Sequence, residues 1–588
     1  MTAPISRFSE RLERLRLLLA SSRGLFLLAM LGLISGILVG VVIILFRLLI
    51  EMAQSGILPA GNPDDFESLS WQVRILLSSV GGLVLGLLFY FASATVPRVG
   101  VIHVLERLAY HEGHLPVKNM LLQFFGGAIS IISGHSVGRE GPSVHLGAAT
   151  ASLLGQKLHM PNNSIRVLVA CGAAAAIAAS FNTPLAGVIF SMEVILMEYT
   201  ITGFTPVILA AVSATVVNWV VFGKYPAFNV PALELNSYWE LPLIVIMGIV
   251  IGVIAAMFIA ALKWLSIKVI NIPVWLKFPL AGLAVGMCSL LAPEIMGIGY
   301  DTVNNVLLGE LAIQILLLVL LVKFIATVIS IGMGLPAGLI GPTLFIGAVA
   351  GSLFGLLFAL LPGDISHPGL YAMLGMGAMM GATLQAPLAA LMALLELTAN
   401  QNIILPGMLA IVSANLATRE LFACDSVYIS QMRGIGLDYH EDPVAQSLRR
   451  LAVTSVMNNK FAIVQPLLTR QQAKGIMSDI PTWLIVNREE GKLLMPAVDL
   501  AHHLEMIHAD KSHPEENLDQ EINLLELPSK RTQLVPISSQ ATLQQALKTL
   551  DESDVEALYV IKPLGISADK VFGIVTRQNI EESYRYKA

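Results

Sequence analysis

Between Gly24 and Ala423 the chain runs for 400 residues with only 31 charged side chains, about one in thirteen. Soluble domains carry roughly one charge in four, so a stretch this long and this uncharged cannot clothe itself in charged surface facing water. It has to fold in lipid. The ends are a different material: residues 1–23 hold 7 charges and residues 424–588 hold 39, about one in four. We therefore read a basic head over 1–23, a membrane domain over 24–435, a linker over 436–450 and a soluble domain over 451–588.

The head carries Arg7, Arg11, Arg14, Arg16 and Arg23 and runs into the uncharged stretch Gly24 to Phe46. That stretch is too long for a signal-peptide core, and its basic flank places the N-terminus on the cytoplasmic side. Net charge is −5 and no basic run is interleaved with aromatics, so nucleic acid is not an expected partner. Cys171, Cys288 and Cys424 lie far apart, which suggests neither a disulfide framework nor a metal site. No HExxH, GxSxG or paired-Asp pattern points to an enzyme.

More than a dozen apolar segments follow one another, far more than a membrane anchor for a soluble sensor needs. Several span only about 14 to 16 residues and are cut by Gly or Pro, too short to cross a hydrocarbon core about 30 Å thick. Broken helices of this kind are tolerated where protein or a polar cavity receives their ends, as in transporters. An internal repeat strengthens the reading. Phe181-Asn-Thr-Pro184-Leu-Ala-Gly-Val-Ile-Phe-Ser-Met-Glu193 returns as Leu384-Gln-Ala-Pro387-Leu-Ala-Ala-Leu-Met-Ala-Leu-Leu-Glu396, and upstream Gly141-Pro142 returns as Gly341-Pro342. The prolines are 42 residues apart in one copy and 45 in the other. Two matched blocks in one order indicate duplicated halves, at about 72–222 and 240–421. Such halves often have inverted topology, with half-helix N-termini converging near the midplane, where unpaired N–H groups favour anions.

At these residues the chain resembles the CLC family of chloride channels and chloride/proton antiporters. Gly138-Arg139-Glu140-Gly141-Pro142 reproduces the family's GREGP block, Gly338-Leu339-Ile340-Gly341-Pro342 resembles its GxFxP block, and Tyr428 stands where the family has a pore tyrosine. The resemblance implies an all-α polytopic membrane protein with two inverted repeats of broken helices, assembled as a homodimer with a pore in each subunit. It also implies both termini in the cytoplasm of a cell bounded by that membrane, and chloride or a similar small inorganic anion as the transported ligand, with protons as a second partner and no cofactor. Glu140 is the expected gate: ionised, its carboxylate mimics the anion and blocks the site; protonated, it swings away. Gly138, Arg139, Gly141, Gly100, Val101, Leu339, Ile340 and Tyr428 are the expected anion-binding positions, several of them through backbone N–H groups. Arg139 either shapes the field at the pore or pairs with an acid.

Two departures from the family matter. Its GSGIP block reads Arg98-Val99-Gly100-Val101-Ile102 here, so Val99 replaces a serine whose hydroxyl touches the anion. Val194 replaces the acid that passes protons to the cytoplasm in the antiporters; Glu198, about one turn on, is the substitute candidate if the helix continues. The expectation is anion permeation without strict proton coupling, antiport being the alternative. Glu193 and Glu396, at equivalent places in the repeats, are expected to accept backbone hydrogen bonds at helix ends.

Beyond residue 450 short β-like runs alternate with amphipathic helices: 461–464, 483–486, 534–537, 557–561 and 571–575. Gly573-Ile-Val-Thr576-Arg-Gln-Asn579 resembles the end of a CBS motif, with Leu493-Leu-Met-Pro496-Ala-Val-Asp499 as its diverged counterpart. We expect a soluble α/β tandem CBS domain. Asp499, Thr576 and Asn579 are its nucleotide candidates, but Asn579 and Pro496 replace residues that adenylate-binding pairs use, so an adenine nucleotide is not expected as a ligand. Residues 508–531 read as a linker.

Overall fold

The computed structural model describes residues 24–59, 64–92, 98–224, 227–228, 233–362, 365–437, 443–509, 520–561 and 571–585; the basic head lies outside them. Backbone contacts divide the chain into two compact units. One comprises Leu28–Leu158 and Ile165–Tyr439, and the other is built mainly on His440–Ala588.

The membrane unit is helical. In order come α1 (Leu25–Ile57), α2 (Trp71–Phe91), α3 (Gly100–Tyr110), α4 (Val117–Ile132), α5 (Glu140–Lys157), α6 (Asn162–Phe181), α7 (Pro184–Phe190) and α8 (Ile201–Phe222). The second half follows with α9 (Leu241–Lys268), α10 (Val274–Cys288), α11 (Tyr300–Leu308), α12 (Ile313–Gly332), α13 (Ile340–Phe358), α14 (Pro368–Leu384), α15 (Pro387–Thr398), α16 (Ile404–Leu416) and α17 (Val427–Gly434). Among the described residues 8 helical segments are long and apolar enough to span a bilayer, and four further apolar helices fall short of that length.

The two halves break their helices at matching places. Gly134 and Gly334, each four residues before the glycine that opens a GxxGP turn, take positive φ (71° and 83°). Asn182 and Gln385, each two residues before a Pro-Leu-Ala block, do the same at 59° and 55°. At the Pro-Leu-Ala blocks the left-handed residue ends one helix and Pro184 or Pro387 starts the next, since its missing N–H costs no intrahelical bond at the first position. Interruptions are thus encoded twice, which holds short helix ends at fixed depth.

Packing inside each half relies on backbone-to-backbone approach. A Cβ added to Gly147 on α5 would collide with the Gly172 carbonyl on α6, and one added to Gly347 on α13 with the Gly375 carbonyl on α14. Lipid offers little hydrophobic drive for helices to associate, so close van der Waals contact through small residues supplies it. Gly147→Ala should therefore lower stability by about 2 kcal/mol or more, seen as a fall in melting temperature of the purified protein. Gly475→Ala, on a tail helix where nothing lies within 4 Å of the new methyl, should leave it unchanged or slightly raised.

The tail is a duplicated α/β unit. β1 (Phe461–Val464) runs parallel to β3 (Trp483–Arg488), which pairs antiparallel with β4 (Gly491–Pro496). β6 (Thr532–Ser538), β7 (Ala557–Ile561) and β8 (Gly573–Thr576) repeat that pattern, and β4 joins β6 to close a 6-stranded sheet. Helices α18 (Pro443–Arg449), α19 (Arg470–Ser478), α20 (Ala497–Ala509), α21 (Leu543–Ser553) and α22 (Arg577–Arg585) flank it. α19 and α21 open with the same capping box, Thr469 with Gln472 and Thr542 with Gln545, which satisfies the first free N–H groups of each helix.

Two readings of the tail need correction. The acidic stretch 508–531 is not all linker: β5 (Glu521–Asn523) pairs antiparallel with β2 (Leu467–Thr469), and Ile522, Leu524 and Leu527 are buried with the first copy's core. Its charges hid a spaced apolar set. The stretch 436–450 likewise contains α18, whose Leu448 is buried with Leu543, Leu550 and Ile580 in the second copy's core.

Candidate functional site

The two GxxGP turns meet. Gly138 N–H donates to the Gly338 carbonyl at 2.7 Å and Gly338 N–H returns the bond to Gly138 at 2.8 Å, so equivalent residues of the two halves zip together across one antiparallel bridge. α5 and α13 begin two residues later, at Glu140 and Ile340. Their N-termini, rich in unpaired N–H groups, therefore start side by side.

The Glu140 carboxylate lies in the cradle these turns form. Its oxygens crowd Gly138, and a Cβ would come within 2.7 Å of Oε2 at Gly338 and 2.8 Å of Oε1 at Gly341. Only glycines leave room for it. Glu140 is 2% exposed, and its carboxylate lies against the backbone N–H groups of Glu140 and Gly341. Gly141 packs on the backbone of Ala337 and Gly338, and Leu339 and Ile340 are buried beside it. The arrangement is a small negative group held at two positive helix ends, a place that suits an anion of similar size.

Gly100 (φ 83°) opens α3 with Val101 buried behind it. α17 packs against α3 and brings Tyr428, 4% exposed, into the electrostatic neighbourhood of Glu140. Among the described residues Arg139 makes no ion pair; it donates to the Ser180 carbonyl at 2.8 Å with its guanidinium 4.9 Å from the Phe181 ring centre, and its charge acts on Glu140 and Asp64. Val99 caps α3 without a side-chain hydrogen bond.

Glu193 and Glu396 reach across between the halves. Glu193 accepts from Leu388 N–H (3.3 Å) and Ala389 N–H (2.8 Å) at the start of α15. Glu396 accepts from Leu185 N–H (3.0 Å) and Ala186 N–H (2.8 Å) at the start of α7. Each carboxylate occupies the helix start of the other repeat. Glu198 lies elsewhere. After Phe190 the helix widens into a π-helical turn, Ser191–Leu196, and Met197 then takes φ 56°, so no regular helix carries Glu198 onto the face of Val194. Val194 itself is buried.

A cavity of 30 Å³ adjoins Glu140, and Thr183 is the one other polar side chain among its lining residues, which include Ile177, Phe190, Ile340, Met380 and Leu397. A larger one, 380 Å³, lies beyond Phe181 and is lined by Arg47, Glu51, Asp64, Arg139, Asn218 and Tyr300, among others.

Several buried polar groups near the pathway escape a motif search. Lys323, fully buried on α12, donates to the Ile295 and Gly297 carbonyls at 2.9 and 3.2 Å. A lone charge in the apolar run 313–332 was the available signal. His103 on α3 and His145 on α5 share a 2.8 Å hydrogen bond. Arg107 donates to His103 Nε2 at 3.3 Å, which makes His103 Nδ1 the donor and His145 Nε2 the acceptor. Nothing in the sequence spacing pairs them.

In the tail, Asp499 accepts from Ser529. Asn579 Oδ1 accepts from Thr576 N–H (3.2 Å) and hydroxyl (2.8 Å) at the start of α22. These side chains are occupied by local bonds, and an adenine nucleotide would have to displace them. Calorimetry of the full-length protein with ATP, ADP and AMP should give weak or no heat; tight binding of any of them would show that the local bonds give way.

Apposed helix starts around a buried carboxylate, inside duplicated broken helices, define a membrane protein built to pass small anions. Residues 80–419 match the family described as voltage gated chloride channel. A Ralstonia nicotianae protein named as a ClcB-like chloride channel protein is 35% identical over 368 residues, 61% of this chain and 86% of its own. An H(+)/Cl(-) exchange transporter, ClcA of Vibrio cholerae, is 32% identical over 311 residues, 51% of this chain and 65% of its own. The crystal structure of a eukaryotic CLC transporter, 20% identical, covers 97% of this chain and 98% of its own at a TM-score of 0.58. The chain belongs to the voltage gated chloride channel family, and its membrane unit has the CLC fold, followed by an α/β region consistent with a CBS pair.

Proposed function

We propose that the protein conducts chloride or a similar small anion passively, through a pathway in each subunit of a homodimer, with Glu140 as a protonatable gate and without strict proton coupling. The observation that carries this reading is the Glu140 carboxylate seated among Gly138, Gly338 and Gly341 at the starts of α5 and α13. An ionised carboxylate there competes with the anion for the same helix-end charge; protonation removes that competition. Gly138, Arg139, Gly141, Gly100, Val101, Leu339, Ile340 and Tyr428 then serve as the anion's contacts, most of them through backbone N–H groups. Glu193 and Glu396 act as structural acids, each neutralising two free N–H groups of the partner repeat.

Against coupling stand Val194 and the apolar lining behind Glu140. The coupled alternative draws on kinship with a named exchange transporter and on Glu198. Reversal potentials in reconstituted bilayers decide between them. A channel follows the chloride gradient alone; a reversal potential that also moves with an imposed pH gradient would identify an exchanger.

A further inference from the structure

The loop after α1 holds one carboxylate firmly in place. Asp64 takes φ 80°, in the left-handed region, and its carbonyl accepts from Phe66 N–H at 2.8 Å. The buried Phe66 ring locks that turn, since a Cβ on Gly134 or Gly297 would meet it at 2.9 or 2.7 Å. Gln54, buried on α1, donates to Asp64 Oδ1 at 3.3 Å. So held, Asp64 lines the 380 Å³ cavity together with Arg47, Glu51, Arg139 and Tyr300.

The charges in this cavity sort into pairs. Arg47 has Glu51 at 2.6 Å, which leaves Asp64 as the countercharge of Arg139, the residue next to the gate. The two share the cavity without forming an ion pair, and each acts on the other through it. Asp64 is also acted on by Asp301 of α11 and Lys323 of α12, which are opposed in sign, and Tyr300 lies in the field of Asp64 and Arg139 together. Enclosure by protein pushes the Asp64 carboxyl above the usual carboxylate range, and the Arg139 charge opposes that rise. Glu140 in turn interacts with Arg139, Lys323, Tyr300 and Tyr428. Arg139 thus acts on two carboxylates, Asp64 and Glu140.

We propose that Asp64 is a positioning residue for the gate: from across the cavity its ionised carboxylate offsets the charge of Arg139 and so sets the pH at which Glu140 takes up its proton. With Asp64 ionised, part of the attraction of Arg139 for the Glu140 carboxylate is cancelled, and the gate is protonated at a higher pH. With Asp64 neutral, the whole Arg139 charge favours ionised Glu140, which then blocks down to a lower pH. The inference rests on the reading of Glu140 as the gate.

In proteoliposomes of the full-length protein, Asp64→Asn should move the midpoint of the pH profile of flux about one unit towards acid. Asparagine tolerates the left-handed backbone, and Asp64→Ser should shift the midpoint the same way. Asp64→Glu, which keeps the charge, and Asp65→Asn, which removes a charge one residue on, should hold the midpoint to within a few tenths of a unit. Asp64→Asn combined with Glu140→Gln should be as flat as Glu140→Gln alone. An unchanged midpoint in well-inserted Asp64→Asn and Asp64→Ser proteins, or an equal shift in Asp65→Asn, overturns the inference and leaves the Glu140 reading intact. A pH-dependent Glu140→Gln profile that Asp64→Asn abolishes overturns both, since Asp64 would then be the gate itself.

Discussion

Glu140→Gln should leave a folded protein whose anion flux is nearly independent of external pH. In the native chain, flux should rise as the solution on the gate's side is acidified, because the neutral acid no longer competes for the helix ends of α5 and α13. Above the gate's pKa the protonated fraction changes about tenfold per pH unit, so an effect of that order is expected at the steepest part of the profile. Glutamine has the size of the protonated acid and no proton to lose. The cradle is otherwise unaltered, since Gly138, Gly338 and Gly341 surround the side chain's end and glutamine keeps its shape. Flux through vesicles at a series of external pH values, normalised to the amount of protein inserted, checks this. A wild-type pH profile in a well-inserted Glu140→Gln protein would remove Glu140 from the gate.

The architecture was legible because its signals are local and occur twice. Charge density alone separates the lipid-facing part from the tail, and the Gly-Pro and Pro-Leu-Ala blocks mark the helix breaks in both halves. What the sequence could not convey was which ends meet. Gly138 and Gly338 are 200 positions apart, and only the fold turns two similar turns into one bridge. The same holds for Glu193 and Glu396: equivalence suggested a shared task at helix ends, but that each reaches the other repeat's helix needs the fold. Residues 508–531 misled for the opposite reason, an acidic composition masking Ile522, Leu524 and Leu527.

Chloride gradients should drive no uphill proton movement through this protein. Stoichiometric exchange requires a proton to travel between the cytoplasm and Glu140 by a route distinct from the anion's, with at least one group on the way that can hold it. The cavity adjoining Glu140 is lined by Ile177, Ala186, Phe190, Met380, Ala393 and Leu397, and among the described residues Thr183 is the one other polar side chain on its wall. A hydroxyl passes a proton only by exchanging one, and a cavity of 30 Å³ has room for about one water. Val194, buried four residues beyond Phe190, cannot take the place of an acid. Glu198 is the nearest later carboxylate on the chain, but the π-helical turn and the left-handed Met197 end the helix before it. A chloride gradient imposed on proteoliposomes at symmetric pH, with an internal pH dye and a protonophore control, measures the outcome. Sustained proton movement against its gradient would establish coupling despite Val194, and its loss in Glu198→Gln would then identify the carboxylate that makes the path.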